Sequence, residues 1–231
     1  MDLHVLSGGA AQGVVKALAA DFANANGAEI KGTFGAVGLM KEKLILGEPC
    51  DVAILTAALI NELAQGDYVQ PGTITNLGKV KTGIAVRDGD AQHDVSNPEQ
   101  LKQVLLSASE IYFPDPEKAT AGIHFANVLR RLGIYDQVAP RLRPHPNGAT
   151  AMRHLAQDGQ PNAIGCTQVT EILYTDGVRL VDSLPPEFEL ATTYTAAVCT
   201  KSTHPELSAR LVQLLGSKGT ENLRRDGGFE L

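Results

Sequence analysis

The sequence is poor in aromatic residues and has no long apolar run. It contains no Trp, and aromatic residues make up 5% of its 231 residues. A surface that stacks sugars or nucleobases depends on several exposed aromatic rings, so this composition argues against both kinds of surface. No segment reaches the roughly 18 consecutive apolar residues of a transmembrane helix. We therefore expect no membrane insertion.

The chain also lacks an excess of positive charge. It has 20 Lys and Arg against 26 Asp and Glu, a formal net charge of −6. Nucleic acids and anionic membranes bind a basic face, so we expect no nucleic-acid partner. The acidic balance does not exclude a small anionic ligand, because a few amide groups and one lysine can bind such a ligand locally.

Cysteine is scarce as well, with Cys50, Cys166 and Cys199 as the three examples. No C-x-x-C pair and no Cys/His cluster with zinc spacing occurs, so we expect neither a metal nor another cofactor. All three cysteines lie in or beside apolar runs, which predicts buried free thiols. A reactive thiol at Cys166 is a weaker alternative, because no catalytic partner can be named for it.

Short apolar runs alternate with helical patterns along the whole chain, which is typical of an α/β fold with mostly parallel sheets. Within most runs the apolar residues are consecutive and do not alternate with polar residues, so we predict strands that are covered on both faces. The predicted strands are Leu3–Leu6, Ile30–Phe34, Val52–Leu55, Gly83–Val86, Glu110–Phe113, Ala163–Cys166 and Thr195–Cys199. Apolar stripes predict helices over Val14–Phe22, Leu101–Ala108, Phe125–Leu132 and Leu207–Leu215.

Local signals mark several helix ends. Capping-box patterns begin at Ser96 and at Thr203, and each is followed by a proline in the first helical turn. Thr120 is a further candidate N-cap, and Gly133 is placed to end a helix.

Two extended segments, Val80–Arg87 and Ala191–Thr200, are predicted to cross between two lobes. The first lobe would then contain residues 1–80 and 198–231, the second would contain residues 81–197, and a ligand cleft would lie between them. A chain of this size can bury a sufficient core without a partner subunit, so we expect a monomer.

Three predicted strands run into small-residue loops that precede helices, at 7–13, 33–38 and 115–124. Glycines let a ligand approach the backbone, and helix N-termini offer unpaired N–H groups, so the loops together favour a carboxylate or oxyanion ligand. No dinucleotide fingerprint, Walker A motif or nucleophile elbow is present. Further candidates come from three other strand or loop ends, at Thr56, at Asn147 and at Cys166–Gln168. The full set of candidate ligand-binding residues is Ser7, Gly8, Gly9, Ala10, Gln12, Gly35, Ala36, Val37, Lys41, Thr56, Thr120, Ala121, Gly122, His124, Asn147, Cys166, Thr167 and Gln168.

Four segments resemble the type 2 periplasmic solute-binding proteins, in particular the molybdate-binding branch of the ABC importers. They are Val5–Ala10, Thr33–Gly38, the Gly-x-Pro-x-Asp-Val run in Leu46–Val52, and the Ala-Gly-Ile loop in Ala119–Ile123. The resemblance covers nearly the whole chain. It implies two α/β lobes, joined by two crossing strands, that close over a small anion. It also implies a periplasmic protein whose signal peptide has been removed and whose partner is an ABC permease; a cytoplasmic location is the alternative.

Three positions depart from the molybdate-binding pattern. Ala10 and Val37 stand where those proteins place hydroxyl residues, and Cys166 stands where they place a Tyr. Buried oxyanion oxygens need donors, so the departures favour an organic di- or tricarboxylate as the ligand. Binding of molybdate or tungstate remains an alternative, as does a cytosolic ligand sensor.

An isomerase that resembles aconitate isomerase is a further alternative from a different functional class. Moving a proton along an allylic tricarboxylate needs groups that hold the carboxylates and one positioned acid or base. His124 and Lys41 are the candidate catalytic residues, and His145 and Glu171 are secondary candidates.

Overall fold

A computed structural model gives the fold of residues 1–231, with nine strands and ten α-helices. The strands are β1 Asp2–Gly8, β2 Glu29–Gly35, β3 Val52–Thr56, β4 Thr75–Arg87, β5 Ile111–Pro114, β6 Leu142–His145, β7 Ile164–Gln168, β8 Val178–Ser183 and β9 Ala191–Val198. The helices are α1 Gln12–Asn26, α2 Val37–Ile45, α3 Ala57–Gln65, α4 Pro98–Ser107, α5 Thr120–Arg131, α6 Tyr135–Val138, α7 Gly148–Asp158, α8 Val169–Tyr174, α9 Pro205–Gly216 and α10 Glu221–Asp226. The α/β prediction is therefore confirmed.

The first compact unit combines two separate stretches of chain, Met1–Val80 and Thr192–Leu231. Its strands β2, β1 and β3 are parallel neighbours in that order, and β9 pairs antiparallel with β3. A single apolar core joins this sheet to the surrounding helices. Strand β3 is buried along its whole length, whereas β2 lies at the sheet edge and most of its residues are exposed or half-buried.

The second compact unit is one continuous stretch, Lys81–Ala191. Strands β6, β5 and β7 are parallel, β4 pairs antiparallel with β7, and β8 pairs antiparallel with β4. Side chains alternate between two cores: Ile111 and Phe113 belong to one, and Tyr112 belongs to the other. This alternation is the period of two that a strand covered on both faces requires.

Asp51 holds the two stretches of the first unit together. Its buried carboxylate accepts hydrogen bonds from the backbone N–H of His4 (2.8 Å), from Oγ of Ser202 (2.7 Å) and from the N–H of Thr203 (2.9 Å). Burial acts to raise the pKa of this carboxyl, but the hydrogen bonds outweigh burial and lower the pKa below its usual value. The Asp of the Gly-x-Pro-x-Asp-Val run therefore has a structural role in this chain.

The structure corrects three predicted helix starts by one residue. Asn97, and not Ser96, caps α4, because its side-chain oxygen accepts the N–H of Gln100 at 3.0 Å. His204 is the N-cap of α9, while Thr203 is bonded to Asp51. Thr120 is the first residue of α5 and is not its cap.

Two strands and several helices were not predicted. Strands β6 and β8 contain charged or exposed residues, so neither shows the apolar run by which the other strands were recognised. Gly133 does end a helix as predicted: it follows α5 with a φ of 69°, which glycine adopts without strain. No helix combines the length and apolar character that a membrane crossing requires.

Candidate functional site

In the first unit, three helices begin at one edge of the sheet. Strands β1, β2 and β3 are parallel, so their carboxyl ends at Gly8, Gly35 and Thr56 lie on the same side. Each end leads into a helix, either directly or through one short turn. Their N-termini therefore present backbone N–H groups and positive dipole ends at one edge, where α/β sheets bind ligands.

The β1–α1 loop is closely packed. Ser7 is fully buried and its Oγ donates to the carbonyl of Gly8 at 2.8 Å. A Cβ at position 8 would lie 2.7 Å from Cγ1 of Val37 and 3.0 Å from a ring carbon of Tyr194, so only glycine fits there. Gly9 and Ala10 follow in a buried 3-10 turn, and Gln12 begins α1 half-buried.

The second loop contributes no side-chain hydroxyl. After Gly35, Ala36 is the N-cap of α2 and Val37 is its first residue, and both are buried. Lys41 lies one turn into this helix, where its Nζ is ion-paired with Glu62 on α3. The positive charge that was predicted for a ligand is thus balanced by a carboxylate.

Thr56 acts as a helix cap. Its Oγ1 accepts the N–H of Leu59 at 3.4 Å, at the start of α3. This hydrogen bond leaves the hydroxyl hydrogen available as a donor, because the contact uses an oxygen lone pair.

In the second unit, helices again begin where parallel strands end. Strands β5, β6 and β7 end at Pro114, His145 and Gln168, and they lead into α5, α7 and α8. At α5, Thr120 is half-buried and Ala121 is buried. Gly122 approaches the carbonyl groups of Pro114 and Asp115 so closely that a Cβ would overlap them.

His124 lies in the second turn of α5 and is half-buried. Its Nε2 is 2.7 Å from the carbonyl oxygen of Phe188. A carbonyl can only accept, so Nε2 is the protonated nitrogen and Nδ1 carries the lone pair in the neutral ring. The imidazole is therefore held in one tautomer, with Nδ1 able to accept a proton or a hydrogen bond.

The start of α7 is built around a buried carboxylate. Asn147 caps the helix, since its side-chain oxygen accepts the N–H of Thr150 at 2.9 Å. Glu171, at the start of α8, accepts a hydrogen bond from Oγ1 of Thr167 at 2.5 Å and further bonds from the backbone N–H groups of Ala149 and Gln168. Burial raises the pKa of Glu171 to about 7, although these hydrogen bonds act to lower it.

Gly148 makes this arrangement sterically feasible. A Cβ at position 148 would overlap the Glu171 carboxylate and the Thr167 hydroxyl. The structure therefore brings together Asn147, Thr167 and Glu171, three residues that were named separately from the sequence.

Next to this cluster, three buried side chains have polar atoms without hydrogen-bond partners. Gln168 is 3% exposed, and neither its Nε2 nor its Oε1 has a partner. Thr82 lies directly opposite Gln168 in the β4–β7 pairing, and its hydroxyl is also unpaired. The hydroxyl of Thr170 completes the group. Thr82 and Thr170 were not predicted as site residues, although Thr82 interrupts an apolar strand and so offered a signal.

Cys166 does not share this environment. Its side chain lies in the core with Ile84 and Phe125, fully buried, and burial raises the pKa of the thiol well above its usual value. A neutral thiol in an apolar core fits neither a nucleophile nor a ligand contact.

His145, a secondary catalytic candidate, lies in an aromatic stack. Its ring is 5.8 Å from that of Tyr112 and 4.4 Å from that of His154. Burial, together with the nearby His154, lowers the pKa of His145. No group of three or more His, Cys, Asp or Glu side chains is arranged to hold a metal ion.

Comparisons with known proteins cover almost the whole chain. The family described as "Bacterial extracellular solute-binding protein" matches residues 3–230. The chain is 27% identical over 239 residues to an aconitate isomerase from a Pseudomonas species. That alignment covers 99% of this chain and 87% of the relative. The chain is 21% identical over 212 residues to the molybdate-binding protein ModA of Escherichia coli, which covers 91% and 82% of the two chains.

The fold also matches a solved structure. The periplasmic molybdate-binding protein of Azotobacter vinelandii superposes with a TM-score of 0.81 at 17% identity and 99% coverage of both chains. This likeness confirms the predicted α/β fold of the periplasmic binding proteins. The family match and the similarity to ModA agree with the predicted resemblance to solute-binding proteins of the molybdate-binding-like branch. By the extent of the family match, the chain belongs to the bacterial extracellular solute-binding proteins.

Proposed function

We propose that this protein captures a small organic anion with two or three carboxylates, using helix N-termini at the carboxyl ends of parallel strands and the side chain of Gln168. The observation that carries the proposal is the buried amide of Gln168, whose donor and acceptor both lack partners. Leaving such a group unsatisfied costs about 1–3 kcal/mol, a cost that a bound carboxylate would offset by accepting from Nε2.

The apolar loops favour carboxylates over tetrahedral oxyanions. Ala10 and Val37 are buried and carry no donor. Cys166, at the third departure from the molybdate-binding pattern, faces the core. At Ala10 and Val37 an oxyanion with four equivalent oxygens would find backbone N–H groups only, whereas a carboxylate needs fewer donors at each end. The similarity to an aconitate isomerase supports the same ligand class.

A thermal-shift panel tests the ligand class. We expect cis-aconitate, trans-aconitate, citrate or a related acid to raise Tm, and molybdate, tungstate and sulfate to leave it unchanged. At 100 times Kd, binding adds about 2.7 kcal/mol of stability, which raises Tm by roughly 5–10 °C in a chain of this size. A panel in which molybdate gives the shift and every carboxylate is silent would overturn the proposal.

A substitution tests the role of the amide. We expect Gln168→Leu to weaken binding of the effective acid by about 10- to 100-fold, the equivalent of about 1.5–3 kcal/mol for a hydrogen bond to a charged group. The unliganded variant should be as stable as the native protein, since no protein hydrogen bond is lost. Gln137→Leu, at an exposed position, is the matched control. Unchanged affinity in calorimetry for Gln168→Leu would remove Gln168 from the site.

Isomerisation of aconitate is a second candidate function, favoured by the 27% identity to an aconitate isomerase over 99% of this chain. His124 would be the acid or base, because its Nδ1 is the free nitrogen of an oriented ring. We expect His124→Gln to retain a donor toward Phe188 and to bind ligand, but to lose turnover. Absence of any absorbance change when the native protein meets either aconitate isomer would exclude this function and leave capture alone.

Membership of the extracellular solute-binding family supports two further proposals. We propose that the protein works in the periplasm and delivers its ligand to an ABC permease. Fractionation of cells that express the full-length gene tests the location, and ligand-stimulated ATP hydrolysis by the permease tests the delivery.

A further inference from the structure

Two of the three cysteines meet inside the first unit. Cys50 immediately precedes Asp51 and strand β3, and Cys199 immediately follows strand β9. Their Sγ atoms are 3.2 Å apart, although the residues are 149 positions apart in the chain. Both side chains are buried, with exposed fractions of 8% and 1%.

The backbone on both sides of this contact is held in place. The N–H of Cys199 donates to the carbonyl of Asp51 at 2.9 Å, and Cys199 forms a bridge with Val69. Strands β3 and β9 pair over five residues; Cys50 lies two residues before β3, and Cys199 directly follows β9. A disulfide bond is about 2.05 Å long, so its formation requires the two sulfur atoms to approach by roughly 1 Å.

Both cysteines lie at the wall of a cavity. Cys50 and Cys199 line a cavity of about 500 Å³, together with Tyr68, Lys201 and Thr203 among others. Cys50 is the more exposed of the two. Cys50 is therefore the better placed of the two to meet an incoming disulfide, and Sγ of Cys199 lies 3.2 Å from Sγ of Cys50.

We propose that Cys50 and Cys199 form an intramolecular disulfide when the protein meets a disulfide-bearing oxidant, such as an oxidised thiol–disulfide oxidoreductase. The Cys50 thiolate attacks the oxidant's disulfide, forms a mixed disulfide and releases one thiol. The contact with Cys50 and burial raise the pKa of the Cys199 thiol, so this thiol gives up its proton as it attacks Sγ of Cys50 and releases the second thiol. The two cysteines lose two protons and two electrons, and the oxidant is reduced to a dithiol. Disulfides persist in oxidising compartments outside the cytoplasm.

The disulfide would join the two separate stretches of chain that form the first unit. The first unit is assembled from Met1–Val80 and Thr192–Leu231, and the second unit lies between them in the chain. Cys50 belongs to one stretch and Cys199 to the other, so the disulfide would join the two stretches covalently. A cross-link that closes a long loop restricts the unfolded chain and thereby stabilises the fold.

Mass spectrometry of the native chain tests the proposal. The protein is incubated either with a reductant or with oxidised glutathione, denatured, alkylated and digested. We expect the oxidised sample to be lighter by two hydrogen atoms before alkylation, to yield one cross-linked peptide containing Cys50 and Cys199, and to leave Cys166 alkylated. We also expect oxidation to raise Tm by roughly 5–10 °C.

Cysteine variants separate this bond from other oxidation products. Cys166→Ser should retain the full rise in Tm on oxidation, whereas Cys50→Ser and Cys199→Ser should lose it. The comparison of oxidised and reduced native protein does not depend on whether these variants fold. Three alkylated cysteines after oxidation, a cross-linked peptide that contains Cys166, or a bond between two molecules would each overturn the proposal.

Discussion

Glu171 is expected to make the protein less stable as the pH rises from 5 to 8. The carboxyl is 5% exposed and lies between Thr167 and the start of α7. Its pKa rises from 4.5 to about 7, chiefly because burial penalises the charged form. The test is Glu171→Gln, which replaces the titrating group with a neutral amide of similar shape.

The sign and size of the effect follow from linkage. Below pH 4.5 the carboxyl is protonated in both the folded and the unfolded chain, and the contribution to stability is fully present. Between pH 4.5 and 7 the unfolded chain releases the proton while the folded chain retains it, so stability falls as the pH rises; above about pH 7 the fall levels off. The difference between the two pKa values corresponds to about 3 kcal/mol in total, of which about 2–3 kcal/mol falls between pH 5 and 8.

Urea denaturation at several pH values measures this effect. The absolute stability of Glu171→Gln will differ from that of the native protein, because the amide offers only one acceptor oxygen to Thr167 and to the N–H of Ala149. The informative quantity is the native free energy of unfolding minus that of the variant, which should fall by about 2–3 kcal/mol from pH 5 to 8. Glu206→Gln, at an exposed position, is the control and should show no such change. Parallel curves for the native protein and Glu171→Gln would refute the reasoning.

Three further predictions concern stability. Asp51→Asn should cost about 2–3 kcal/mol in urea denaturation, because three charge-assisted hydrogen bonds are weakened; the exposed Asp67→Asn should be neutral. Gly148→Ala should lower the free energy of unfolding by more than about 2 kcal/mol, because its Cβ would overlap buried polar atoms. Gly72→Ala meets open space and should not lower it. Asn147→Ala should cost about 1 kcal/mol through loss of the helix cap, and a fully stable variant would argue against that cap.

The pattern of the sequence predicted much of the fold but less of the site. Strands β1, β3, β5 and β7 were recognised because strands covered on both faces are continuously apolar. Strand β6 escaped because its residues are half-buried or exposed and include Arg143 and Pro144. The loops that precede α1, α2 and α5 were found because small residues between an apolar run and a helical pattern are a local signal. The ligand-facing role of any residue in those loops remains a prediction.

Several side-chain roles were decided by contacts across the chain. Lys41 carries a positive charge near a helix start, which favours an anionic ligand, yet its side chain is ion-paired with Glu62 on α3. Cys166 ends the predicted strand Ala163–Cys166, yet it is the middle residue of β7 and the alternation along that strand turns its side chain into the core. Each outcome depends on a neighbour from a distant segment, which a local pattern does not reveal.

By itself, the sequence determined the alternation of strands and helices and the small-residue loops at strand ends, because these features depend on local periodicity and backbone freedom. Its −6 charge argued against a nucleic-acid partner and its scarcity of aromatic rings argued against stacking surfaces, because composition limits what any surface of the chain can offer. The tertiary structure alone decided that Cys50 lies against Cys199, that Asp51 joins two stretches of one unit, and that Glu171 is buried among N–H donors. These three arrangements depend on which distant segments of the chain pack together. The packing of the complete apolar core determines that, and no local pattern of residues does.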